Sequence, residues 1–363
     1  MMILIATPLF PPDSGGPATY SKILVDELPK RGIDVGVLSF GSVRSLPKVI
    51  RHLVYFFKVF WQGRKASVIF AQDPVSVGFP SALASLILRK PLVLKVVGDY
   101  AWEQGVNRFG VKELLDEFLN KKYGFWVEFL RRIEKFVANR SRAIIVPSRY
   151  LKSVLEKWRV KPEKIKVIYN SVNLPKDSTR TVFGERTVLV SIGRLVPWKG
   201  FEMLIEIMPE ILKKYPDAKL FIIGSGPESE ALKLQATSYK LQANVKLLGS
   251  LPHEQVLKYL QAADVFLLNT GYEGFSHQIL EAMAVGAPVV STPAGGNKEI
   301  LKDRENSLVV EYNNKNQWLS AISELLDNPD FARKLAENAK DEIHKFYGQD
   351  MIDKTLQVLK EVT

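Results

Sequence analysis

The sequence predicts an α/β protein built from two doubly wound, Rossmann-like halves. Short apolar runs recur with amphipathic segments between them, the pattern of parallel strands joined by crossover helices. The pattern pauses at a polar stretch near residue 175 and then restarts. A chain of 363 residues also exceeds what one hydrophobic core usually organises.

In the first half, residues 2–6, 35–40, 68–72, 92–97 and 143–147 read as buried strands. Gly15-Gly16-Pro17 opens a helix to about Leu28, and Ser148 is placed to cap another. Residues 171–187, with Pro175, Asp177, Ser178 and Gly184, read as the linker. The second series has strands at 187–192, 219–223, 244–248, 265–269 and 288–291, and a helix over 201–214. This gives domains of residues 1–175 and 176–345, with a last helix from about Asp350 in segment 346–363. Parallel sheets of this kind bind ligands beyond the carboxyl ends of their strands, so two that face one another imply an interdomain cleft.

Composition narrows the function classes. There is no Cys, which excludes disulfides and thiolate-ligated zinc. The longest hydrophobic charge-free run, Pro74–Leu88, is shorter than the roughly 20 residues that span a bilayer. Net charge is +11, unevenly placed: residues 1–180 hold 30 Lys/Arg against 15 Asp/Glu, and residues 181–363 hold 20 against 24. A basic first half suits an anionic partner such as a membrane, a polyanionic acceptor or nucleic acid.

The second half carries the most chemistry. Ser191-Ile-Gly-Arg-Leu-Val-Pro-Trp-Lys-Gly200 follows a strand and leads into a helix. Gly193 permits a close turn, and Arg194 and Lys199 project from the strand end as a diphosphate clamp or as solvated surface charges. Gly224-Ser-Gly226 is a second strand-to-helix turn without the third glycine of a dinucleotide fingerprint. It serves a nearby ligand or is a plain turn. The run from Tyr272 to Ser291 is the most specific signal. Glu273 lies in a Gly-flanked loop, and Glu281 lies eight positions on, about 2.2 helical turns away, among apolar neighbours. Backbone N–H groups around Gly274, Phe275 and Ser276 would meet phosphate at the helix N-terminus. Carboxylates suit sugar hydroxyls, and the plain alternative for Glu281 is a helix-surface charge. Gly295-Gly296 precedes Glu299, which opens a helix either in a functional role or as a favourable first-turn acid.

This ordered set resembles the GT-B glycosyltransferases of family GT4 over essentially the whole length. The resemblance rests on Gly15-Gly16, Gly193-Arg194 with Lys199-Gly200, Gly224-Ser-Gly226, Glu273 through Glu281, and Gly295-Gly296. It implies a retaining hexosyltransferase of the EC 2.4 class that uses a nucleoside-diphosphate sugar, UDP or GDP, and a glycan or lipid-linked acceptor. It further implies that Arg194 and Lys199 hold the donor diphosphate, Glu281 the ribose and Glu273 the sugar hydroxyls. Main chain at Gly249–Leu251 would face the base, and Gly15 and Gly16 would approach the phosphates. The segment 346–363 would pack back on the first domain. No metal or other cofactor is expected. The sequence agrees in having no Asp-x-Asp, and two cations can neutralise a departing diphosphate.

In the first half, Val96-Val-Gly-Asp-Tyr-Ala-Trp-Glu103 follows a strand. Many family members carry a His there that contacts the sugar, where this chain has Gly98 and Asp99. Asp99 is expected as a catalytic or acceptor-orienting group or as a structural acid, with Tyr100 and Glu103 as further acceptor contacts. His277 lines the site or packs at a helix start. The segment Arg44–Lys65 combines six cations with Tyr55, Phe56, Phe57, Phe60 and Trp61, and Phe125-Trp126 with Arg131-Arg132 repeats the theme. It binds an anionic membrane surface peripherally, or its aromatics pack on the sheet. The expected location is cytoplasmic, with peripheral attachment to the cytoplasmic face of a membrane. Two alternatives are a GT-B-type nucleotide-sugar epimerase and a nucleic-acid-binding protein. Nucleic acid is not expected, because no recognised binding module is present.

Overall fold

The computed structural model describes residues 1–13, 15–172, 187–346 and 348–363. It divides into two compact units, Met1–Tyr169 with Gln349–Thr363, and Asn170–Gly348. Most of the expected linker, with the boundary at 175/176, lies outside the described residues, as does Ser14 of the first glycine loop.

The first unit is a six-stranded parallel sheet of β1 (Met2–Thr7), β2 (Asp34–Ser39), β3 (Val68–Ala71), β4 (Leu92–Lys95), β5 (Ala143–Val146) and β6 (Ile165–Val167), in the order β2-β1-β3-β4-β5-β6. Strands β3, β4 and β5 are buried at every position, because helices cover both faces. The helices are α1 (Gly16–Glu27), α2 (Lys48–Gly63), α3 (Gly78–Leu88), α4 (Tyr100–Arg108), α5 (Leu115–Phe118), α6 (Phe125–Arg140) and α7 (Arg149–Lys157). Ser148 caps α7 as expected, its hydroxyl accepting from Leu151 N at 3.1 Å. Strand β6 escaped the sequence reading because it is three residues long with Lys166 exposed.

The second unit repeats the plan with β7 (Val188–Ile192), β8 (Lys219–Ile223), β9 (Val245–Gly249), β10 (Val265–Leu268), β11 (Val289–Ser291) and β12 (Leu308–Val309), in the order β12-β11-β10-β7-β8-β9. Its helices are α8 (Phe201–Glu206), α9 (Met208–Lys214), α10 (Ser229–Ser238), α11 (His253–Ala262), α12 (His277–Val285), α13 (Lys315–Asp327) and α14 (Pro329–Ile343). The single helix expected over 201–214 is two, because Pro209 has no N–H to give and falls in the first turn of α9. Glu299 does not open a helix; it closes a 3₁₀ turn, Gly295–Glu299. Leu189, Leu220, Val265, Val290 and Trp318 centre this unit's core.

The last helix, α15 (Gly348–Glu361), completes the first unit. Met351, Ile352, Leu356 and Leu359 are buried with Ile3, Phe70 and Val93 of that sheet. Tyr20 Oη lies 2.8 Å from Thr355 Oγ1 in the same packing. Among the described residues no helix is long and apolar enough to cross a membrane.

Candidate functional site

In the second sheet the strand order reverses between β7 and β10. Beyond such a reversal the loops diverge and leave a crevice at the strand carboxyl ends. The sequence-predicted residues of this half sit on those loops.

The loop after β7 rests on the loop after β8. Gly193 N donates to Ile223 O at 3.0 Å, and Leu195 N donates to Ser225 O at 3.0 Å. Gly224, at φ +139°, abuts Gly193: a Cβ there would stand 1.9 Å from the Gly193 carbonyl oxygen. At Gly226 a Cβ would stand 2.2 Å from Leu195 O. Packing therefore accounts for the absence of a side chain at both glycines, which support the Arg194 loop. Gly224 N also donates to Gly249 O at 2.8 Å, which brings in the loop after β9. Arg194 is exposed on this cradle.

Lys199 ends the 3₁₀ turn Pro197–Lys199. Gly200 follows at φ +52° and is pressed against Asn269, whose Nδ2 donates to Gly200 O at 2.9 Å. Gly271 N donates to Trp198 O at 2.8 Å. The stem of Lys199 passes over Gly193, where a Cβ would lie 3.8 Å from Lys199 Cδ and Cε. Its ammonium reaches the Glu273 carboxylate as an ion pair. Gly296 N donates to Glu273 O at 2.9 Å, and Thr292 Oγ1 donates to Thr270 O at 2.6 Å. The loops after β7, β10 and β11 are thus laced into one frame around Lys199 and Glu273.

Helix α12 starts beside this frame. Ser276 caps it, accepting from Ile279 N at 3.3 Å, and Asn170 Nδ2 donates to Phe275 O at 3.0 Å. Gly274, Phe275 and Ser276 are buried, and His277 is half-buried at the first helical position. Glu281 is half-buried one turn further along α12, and its Oε1 takes a hydrogen bond from His253 Nε2 at 3.0 Å. His253 opens α11 two residues after Leu251, so Glu281 and the Gly249–Leu251 strand end share one neighbourhood. The Glu281 hydrogen bond raises the His253 pKa above its ordinary value. His253 was not among the expected site residues, though its place just past Gly249–Leu251 was a usable signal. Asn297 was also missed: it is fully buried in the Gly295–Glu299 turn, and neither side-chain heteroatom has a hydrogen-bond partner.

The first unit corrects the expectation for Asp99. It is wholly buried and is the N-cap of α4, its Oδ1 accepting from Trp102 N at 2.8 Å. Tyr100 N donates to Glu134 Oε1 at 2.6 Å, so two carboxylates serve one helix terminus. Burial raises Asp99 to about 6, and burial followed by the Asp99 charge raises Glu134 well above the carboxylate range. A carboxylate committed to a helix start and shut from solvent is not placed to meet an acceptor. Tyr100 and Glu103 are half-buried on the first turn of α4. Gly15, at φ +136°, is the N-cap of α1, with Gly16 the first helical residue.

Two parallel six-stranded units with flanking helices match the GT-B class of glycosyltransferase structures. Two family models cover the chain almost end to end: Glycosyltransferase Family 4 over residues 14–176 and Glycosyl transferases group 1 over residues 176–342. The chain belongs to the GT4-type glycosyltransferases. An uncharacterized glycosyltransferase of Methanocaldococcus jannaschii is 31% identical over 64% of this chain and 63% of its own length. One of Haemophilus influenzae is 25% identical over 90% of this chain and 91% of its own length. The phosphatidylinositol N-acetylglucosaminyltransferase GPI3 subunit of Saccharomyces cerevisiae is 26% identical over 71% of this chain and 59% of its own length. The chain thus spans less than two thirds of the first and third of these relatives. Among solved structures, sucrose-phosphate synthase of Thermosynechococcus elongatus superposes with a TM-score of 0.81 at 20% identity, covering 99% of this chain and 98% of its own. HepE of Anabaena, in complex with UDP and glucose, superposes with a TM-score of 0.77 at 20% identity, covering 99% of each chain. At such identities the likeness establishes the fold.

Proposed function

We propose that the second unit binds a nucleoside-diphosphate sugar, UDP or GDP, and that the enzyme passes a hexose-type sugar with retention to a glycan or lipid-linked acceptor. The observation that carries this reading is Lys199 meeting Glu273 at the strand-order reversal. A cation there suits a diphosphate, and a carboxylate beside it suits the hydroxyls of the attached sugar. HepE, which shares the fold, binds UDP and glucose, and this supports the choice of donor class.

In this reading Arg194 and Lys199 hold the diphosphate, and the N–H groups of Gly274, Phe275 and Ser276 add the positive end of α12. Glu281 takes the ribose hydroxyls, and the Gly249–Leu251 main chain faces the base. The acceptor oxygen bonds to the anomeric carbon on the face from which the diphosphate departs. The bond to the leaving phosphate breaks with its electron pair going to phosphate, and a phosphate oxygen takes the acceptor proton. Two fixed cations offset the negative charge that develops, so the reading needs neither a protein nucleophile nor a metal.

A thermal-shift screen across UDP-, GDP- and ADP-sugars tests the donor assignment. It is followed by acceptor-dependent release of the nucleoside diphosphate, with and without chelator. One donor should stabilise the protein, and release should need acceptor and survive chelation with the anomeric configuration kept. Stabilisation by no sugar nucleotide, or epimerised donor formed without acceptor, would overturn the reading.

A further inference from the structure

The first unit carries an apolar surface that the catalytic reading does not use. On α2 the residues Val49, Leu53, Phe57 and Trp61 follow one another at i, i+4 and are 82%, 57%, 50% and 62% exposed. The opposite side of the same helix is fully buried at Tyr55 and Val59. Helix α2 is therefore apolar on two sides, of which the sheet needs one. Helix α6 repeats the arrangement: Phe125 and Trp126 are exposed at 69% and 60%, while Val127 and Val137 are buried.

These two surfaces belong to one layer. Helix α3 packs against both α2 and α6, and the rings of Phe79 on α3 and Phe136 on α6 lie 6.2 Å apart. Leu86 and Ile87 of α3 are exposed between them. Most exposed large hydrophobic side chains of the described residues lie on these three helices. Scattered apolar residues are ordinary on a surface, but a continuous aromatic face marks a contact.

Charge decides what the contact is made with. No acidic residue occurs between Asp34 and Asp73, and α3 has no charged residue at all. On α6, Glu134 is buried and Glu128 is held by Arg131 at 2.8 Å. The outward cations alternate with the rings: Arg64 lies over Trp61, 5.1 Å from its centroid, and Arg132, Lys135 and Arg140 line a shallow groove with Phe136. A second copy of this surface would bring like charges together. A layer that is apolar at the surface and anionic just above it satisfies both components, and aromatic and basic side chains favour that interface.

We propose that the outer face of α2, α3 and α6 docks on an anionic lipid bilayer, and this would hold whatever sugar the second unit transfers. Co-sedimentation tests it, with vesicles of phosphatidylcholine alone against the same lipid containing about a third phosphatidylglycerol. The full chain should partition about tenfold more strongly onto the anionic vesicles, and high salt should remove the difference. Arg132→Glu combined with Lys135→Glu should lower anionic binding about tenfold while donor-induced thermal stabilisation is unchanged. Phe57→Ser with Trp61→Ser should weaken binding and reduce the lipid-induced blue shift of tryptophan fluorescence. Equal partition onto both vesicles, or none onto either, overturns the proposal and is read on the unaltered protein. Self-association without lipid that these substitutions abolish would instead assign the face to a second copy.

Discussion

Lys199 is buried along its stem and charged at its tip, with its ammonium on Glu273. Removing the side chain strands the half-buried Glu273 carboxylate and takes a cation from the proposed diphosphate site. Lys199→Ala should therefore lower kcat far more than it lowers the melting temperature; unchanged turnover would remove Lys199 from the clamp. Glu281→Ala should weaken donor binding by about 1–3 kcal/mol, the usual cost of losing hydrogen bonds to a charged group. Titration calorimetry with the matching sugar nucleotide reads that loss directly. His253 adds a pH dependence. Its pKa is raised by Glu281, so the charged pair stabilises the fold below the ordinary histidine value and the gain is lost as pH rises through the raised value. Below that value the imidazolium holds the carboxylate that the ribose is proposed to use. Donor affinity should fall as pH drops through the raised histidine value, and His253→Ala should flatten that dependence. The Glu273 and Glu281 positions were legible from their spacing and apolar setting, as were Lys199 and Arg194 from their strand end. Asp99 is the structural acid of its two sequence readings, which stay apart only in the structure because a helix N-cap and a cleft acid look alike in sequence: both are acids just past a strand. Its partner Glu134 left a trace, since it falls on the face of α6 that holds Val127 and Val137.

Among the elements, strands read best where both faces are covered. Runs such as Val68–Ala71 and Ala143–Val146 are apolar throughout, and no register needs to be guessed. The short edge strands β6 and β12 gave too little pattern to find, and the break between α8 and α9 required giving Pro209 its full weight. The start of α4 yields a prediction at this scale. Asp99 has a raised pKa in the folded protein, so the fold binds its proton more tightly than the unfolded chain does. Stability should therefore decrease as pH rises from about 4 to about 6, the opposite of the usual carboxylate. Glu134→Gln removes the second buried carboxyl that titrates beside Asp99 while keeping an oxygen for Tyr100 N. Chemical denaturation across that pH range should show a shallower decline in the variant; an identical slope would mean that Glu134 takes no part in that titration.

For the molecule as a whole, chain order and spatial order part company at the last helix. Residues 349–363 follow the second unit in sequence but belong to the first, where Met351, Ile352, Leu356 and Leu359 enter the core. The contact is also polar: Thr355 Oγ1 meets Tyr20 Oη, and the Lys95 ammonium lies 3.0 Å from the centroid of the same ring. Burial pushes Lys95 well below the ordinary lysine range, and the ring face is the stabilising contact at its tip. Removing residues 349–363 would expose the core beneath α1 and free the ring that covers Lys95. Each large buried side chain lost costs about 2–5 kcal/mol, so several together exceed the whole stability of a typical domain. The truncated chain should therefore lose the first unit's cooperative unfolding transition while the second unit keeps its own. Scanning calorimetry with the cognate sugar nucleotide separates the two, because only the surviving transition should still shift upward with donor. Loss of both transitions would show that the second unit depends on the first for its stability.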